Sequence, residues 1–140
     1  MTVAEQRLTL ERIWLFEGCN RAELARIHKA AEEVAVPEGT LLVEEDEPGL
    51  LFFVILEGRA SVVHGGRTVA DLGPGEFFGE LALLDDRPRS ASVVAATDMA
   101  LLVIRRRAFQ RVLDATPALT RTLLRAMACR LRASGADADY

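Results

Sequence analysis

The sequence predicts a mainly β fold, an antiparallel β roll of jelly-roll type with helices at its N-terminal and C-terminal ends. Three observations predict it. Between Ala35 and Ile104, short runs rich in Val, Leu and Phe are interrupted at close intervals by Pro37-Glu38-Gly39, Pro48-Gly49, Gly58, Gly65-Gly66, Gly73-Pro74-Gly75 and Gly79, the punctuation of a β sandwich or barrel. On both sides of that stretch apolar residues recur at helical spacing. Charge divides near the same boundary. Residues 1–103 carry 9 basic and 18 acidic side chains, net −9, and residues 104–140 carry 8 basic and 3 acidic, net +5.

Residues 1–34 read as a helical segment. A first helix is expected over Val3 to Trp14, with Leu8, Ile13 and Trp14 turned inward. Asn20 followed by Glu23 has the form of a capping box, and Leu24, Ile27, Ala31 and Val34 then recur at steps of 3, 4 and 3. Residues 35–104 form the roll, with strands expected at 40–44, 51–57, 59–64, 67–72, 90–96 and 99–104, and Gly65-Gly66 marks a tight hairpin. Residues 105–134 return to helix. Phe109, Val112 and Leu113 share one short helix, and Pro117 suits the first turn of the next. There Leu119, Leu123, Met127 and Leu131 repeat every 4 residues, with Arg121, Arg125, Arg130 and Arg132 around them. Residues 135–140 are a small, polar tail.

Composition excludes several classes. A chain of 140 residues, half of them hydrophobic and 27% charged, suits a single folded domain and not a disordered one. A net charge of −4 disfavours a generally basic nucleic-acid binder. Cys19 and Cys129 make neither a disulfide framework nor a zinc-binding pair, which points to a reducing, cytoplasmic setting. The N-terminus lacks the apolar stretch of a secretion signal, and the longest apolar run, Leu50 to Leu56, is far short of a membrane span. His28 and His64 stand too far apart in sequence to suggest the metal site of a cupin, so no metal is expected. No Ser, His and Asp spacing suggests a hydrolase, and an enzyme is not expected. The aromatic residues Trp14, Phe16, Phe52, Phe53, Phe77, Phe78 and Phe109 read as core.

Chemistry concentrates in residues 73–95, GPGEFFGELALLDDRPRSASVVA. Gly79 lets backbone approach a ligand closely. The stretch from Glu80 through Leu81 and Ala82 suits a short helix whose first N–H groups are unpaired and favour an anion. Arg89, held by Pro88, pairs bidentately with phosphate oxygens, and Ser90 adds a hydroxyl donor. Glu80 only accepts hydrogen bonds when ionised, which suits a sugar hydroxyl and not a phosphate. Anion donors beside one carboxylate describe a ribose-phosphate ligand.

FGELALLDDRPRSASVVA resembles the phosphate-binding cassette of cyclic-nucleotide-binding domains, as found in protein kinase A regulatory subunits and the catabolite activator protein. PEGTLLVEEDEPG and LFFVILEGRASVV resemble the family's opening strands, and LFEGCNRAELARI its N-terminal helical segment, so that the resemblance covers residues 13–134. It places the cassette at 73–91 and implies that the chain binds a cyclic purine mononucleotide, cAMP more than cGMP, as a regulatory ligand. Arg89 would clamp the cyclic phosphate, with Ser90 and Ala91 beside it. Glu80 would take the ribose 2′-hydroxyl, and Gly79, Leu81 and Ala82 would offer backbone groups. The C-terminal helices would form a lid, with Arg130, Leu131 and Ser134 facing the base. The Leu119 to Leu131 stripe reads first as a docking face against the roll and second as a homodimer seam, since a spacing of 4 is close to the coiled-coil period, and output is expected to pass through an effector protein or through dimerisation. A DNA-reading module of the kind found in the family's transcription factors is not expected in this chain. The alternative is a degenerate roll that serves only protein interaction or dimerisation. Two departures stand out: Asp46 occupies a position where the family uses Gly, and Leu50-Leu51 replaces a polar pair.

Overall fold

A computed structural model describes residues 12–80 and 91–134. The chain runs through a 3₁₀ turn at Trp14–Phe16, helix α1 (Arg21–Ala30) and strands β1 (Ala31–Val36), β2 (Leu41–Val43), β3 (Leu51–Glu57), β4 (Ala60–His64) and β5 (Arg67–Leu72). Strands β6 (Phe77–Phe78), β7 (Ser92–Ala95) and β8 (Met99–Arg105) follow, then helices α2 (Arg106–Ala115) and α3 (Pro117–Ser134). The strands make two four-stranded sheets of order β1-β8-β3-β6 and β2-β7-β4-β5, with every pairing antiparallel.

Local chemistry explains most of these boundaries. Helix α1 starts at the expected box: the Glu23 backbone N–H donates to Asn20 Oδ1 and the Asn20 N–H to Glu23 Oε1, both at 2.8 Å, which satisfies two otherwise orphaned donors. The β4–β5 hairpin closes on Gly65 and Gly66, both at positive φ (59° and 80°), as a two-residue primed turn requires. Asp46 also takes a left-handed conformation, φ 72°. The helical expectation for Ala31 and Val34 is corrected. These residues lie in β1, paired with β8 from Ala31 opposite Ile104 to Val36 opposite Met99. Their spacing of 3 fits the helical period and puts them on opposite faces of a strand, and the ladder to β8 overrides it.

Alternation along β3 builds two cores from one strand. Phe52 and Val54 face the helices, in a cluster with Leu15, Phe16, Ile27, Phe77, Phe109 and Leu119. Phe53 and Ile55 face the other sheet, with Phe78, Val62, Val93 and Leu101. Phe52 stacks on Phe109 with ring centroids 4.3 Å apart, and Phe53 on Phe78 at 4.7 Å. One core expectation needs correction. Trp14 is 44% exposed, because it sits on the outer side of the 3₁₀ turn whose Leu15 and Phe16 are buried. In the α3 stripe, Leu119 and Leu123 are buried and Leu131 is 58% exposed.

Candidate functional site

The site grows from β6. This strand is two residues long and pairs with Phe53 and Val54 of β3, sending Phe77 into one core and Phe78 into the other. It is therefore fixed on both faces. Gly79 follows at φ +94°, a conformation that side chains rarely adopt. That turn delivers Glu80, whose backbone is helical, into full burial.

The partner of Glu80 comes from the other end of the chain. Arg130 of α3 donates from Nη1 to Glu80 Oε1 at 2.7 Å and from Nη2 to the Phe77 carbonyl oxygen at 3.0 Å. Its guanidinium carbon lies 4.8 Å from the Phe77 ring centroid, within cation–π range. The Glu80 side chain is 1% exposed and that of Arg130 13%. Burial makes the pair directional and interdependent, since neither charge is stable there alone. α3 is thus anchored to the segment that follows β6.

The structure brings Gly79, Glu80 and Arg130 together, and the Arg130–Glu80 bond is one that the sequence does not predict. Ala91 is buried just ahead of β7. Leu131 projects to the exposed surface, and Ser134 ends α3. Leu81, Ala82, Arg89 and Ser90 lie outside the described residues, as does the side chain of Ser134. Sequence reasoning missed the aromatic surround. Trp14 approaches Phe77 at 6.2 Å, and both line a cavity of about 560 Å³ with Arg125, Ala126, Cys129 and Arg130. Phe77 was readable only as core, and nothing in the sequence ties Trp14 to α3.

Among the described residues no group of three or more His, Cys, Asp or Glu is placed to hold a metal ion, and no helix is long and apolar enough to cross a membrane. Both cysteines are free thiols. Burial, with the Glu23 charge adding to it, pushes the Cys19 thiol above its usual range.

The family model of the cyclic nucleotide-binding domain matches residues 33–116, more than half of the chain. A cAMP-dependent protein kinase regulatory subunit of Hypocrea atroviridis is 35% identical over 112 residues, which cover 80% of this chain and 24% of that protein. A cyclic nucleotide-gated potassium channel of Mesorhizobium japonicum is 36% identical over 124 residues, 89% of this chain and 34% of the channel. The solved structure of the Thermus thermophilus catabolite activator protein matches with a TM-score of 0.78 at 32% identity, over 89% of this chain and 61% of that one. The chain spans about a quarter of the length of the kinase regulatory subunits it matches.

Proposed function

The chain belongs to the cyclic nucleotide-binding domain family, and we propose that it is a non-catalytic, cytoplasmic sensor of a cyclic purine mononucleotide, with cAMP preferred over cGMP. The observation that carries this reading is the buried carboxylate of Glu80, delivered by Gly79 and joined to α3 through Arg130. A buried carboxylate beside a glycine turn suits a ribose hydroxyl. In this reading Arg89 clamps the cyclic phosphate, Ser90 and Ala91 add donors to it, and Leu81 and Ala82 contribute backbone groups.

The same pair supplies a route for signalling. An ionised carboxylate has about four lone-pair sites, so Glu80 accepts from a ribose hydroxyl while it still holds Arg130. Ligand and helix then stabilise each other through one side chain, and α3, with Leu131 and Ser134 toward its end, closes over the base. Binding shifts the population toward the closed arrangement only by the ligand's differential affinity for it. An effector protein reads the position of α3.

Calorimetric titration with cAMP and cGMP tests the reading. Saturable binding of cAMP, tighter than cGMP, is expected. Arg89→Ala is expected to weaken it by at least about tenfold, which is about 1.4 kcal/mol, consistent with the loss of a charge-assisted hydrogen bond. Absence of binding to either nucleotide overturns the proposal in favour of a roll used only for protein interaction.

A further inference from the structure

A second surface lies far from Glu80 in sequence. β2 and the start of β3 frame a groove of about 510 Å³ whose apolar lining includes Leu41, Leu50, Leu51 and Phe53. Leu41 is 51% and Leu50 63% exposed. The loop that rims it reads Glu44-Glu45-Asp46-Glu47. Glu45 is engaged by His64 and by the Gly65 N–H. Among the described residues no cation pairs with the side chains of Glu44, Asp46 or Glu47. An apolar groove with an unneutralised acidic rim fits a helix that is apolar along one stripe and basic beside it.

The exposed side of α3 has that chemistry. Leu124 is 61% and Leu131 58% exposed. Arg121, Arg125 and Arg132 are exposed beside them and hold no ion pair among the described residues. Residues 117–134 contain no acidic side chain. A symmetric α3–α3 seam would therefore set arginine against arginine without a counter-charge. Lys29 and Arg105 line a neighbouring hollow that shares Leu41, Leu51 and Phe53 with the groove, whereas Glu44 and Glu47 line the groove itself.

We infer that the groove at Leu41 and Leu50, rimmed by Glu44 and Glu47, docks the exposed face of α3 from a second copy of this chain, head to tail. Such a contact joins two different surfaces. Two variants, each losing a different half, must then complement each other. Leu50→Asp spoils the groove and keeps the helix, and Leu124→Asp spoils the helix and keeps the groove. Both positions are more than half exposed, so folding is retained, and circular dichroism checks it.

Sedimentation velocity on the full chain reads the outcome. The wild type is expected to associate with rising concentration, and less so at high salt. Each variant alone is expected to dissociate at least about tenfold more readily. An equimolar mixture of the two variants is expected to restore a 1:1 complex. A wild-type chain that stays monomeric up to about 1 mM, an affinity floor near −4 kcal/mol, overturns the inference. So does Leu50→Asp that associates like wild type, the behaviour of a symmetric helix seam, and so does a mixture that fails to complement. Leu131 and Arg125 also belong to the proposed nucleotide site, so the variants are placed at Leu50 and Leu124, and nucleotide titration of them is a separate readout.

Discussion

Two carboxylate-bearing turns sit in contrasting surroundings. One carries Glu80 behind Gly79, and the other carries Glu44 to Glu47 around Asp46. Each bends through a residue at positive φ, +94° at Gly79 and 72° at Asp46. At the first turn the side chain is fully buried and tied to Arg130. At the second, Glu45 is 31% exposed and meets a His64 that is 64% exposed. The difference is one of dielectric. Burial turns a carboxylate into a fixed, directional acceptor whose partner cannot be removed cheaply, and exposure leaves a field that acts at a distance and is screened by salt.

The largest test of that contrast is Arg130→Ala. It strands the Glu80 charge in the interior, and loss of one partner of a buried pair costs about 3–5 kcal/mol. Urea unfolding measures it. The double variant Glu80→Gln, Arg130→Met removes both charges, and it is expected to be more stable than Arg130→Ala alone. A single-variant loss below about 1 kcal/mol, the range of exposed pairs, would erase the distinction between the two turns.

Next in size is Gly79→Ala. An L side chain at φ +94° carries backbone strain of about 1–3 kcal/mol, and the same unfolding measurement reads it. Asp46→Gly is the matching change in the exposed turn. There the relief of a left-handed side chain is offset by the greater freedom glycine gives the unfolded chain, so little net change is expected. A loss at Asp46 as large as that at Gly79 would mean that the Asp46 side chain, and not its left-handed backbone, holds the exposed turn.

What the sequence made legible follows the same physics. Short-range chemistry was readable: the Asn20–Glu23 box, the Gly65-Gly66 hairpin and the Gly79-Glu80 turn are each decided within a few residues. Arg130 was readable only as a residue facing the ligand, because its bond to Glu80 joins positions 50 apart and no local pattern encodes it. β1 was misread because Ala31 and Val34 satisfy the helical period, and only pairing with β8 makes them strand. Trp14 was misread because an aromatic side chain on a short 3₁₀ turn has no periodicity to show which way it points. Leu131 kept the four-residue spacing of its helix beyond the stretch that the roll covers.

The smallest expected effect falls on the exposed turn. Glu45 Oε1 accepts from His64 Nδ1 at 3.0 Å and from the Gly65 N–H at 3.1 Å, while the Glu45 N–H donates to Ser92 Oγ at 2.8 Å. Glu45→Gln leaves the backbone bond to Ser92 untouched and an amide oxygen for Gly65, and it removes only the charge. Partial exposure and screening hold such a pair to about 0.2–1 kcal/mol, so a loss at the low end is expected by urea unfolding in dilute buffer, smaller still at high salt. Loss of several kcal/mol, insensitive to salt, would show that the acidic turn is held as rigidly as Glu80. Its neighbours Glu44 and Glu47 would then belong to the structure of the roll and would no longer be free to neutralise an incoming basic helix.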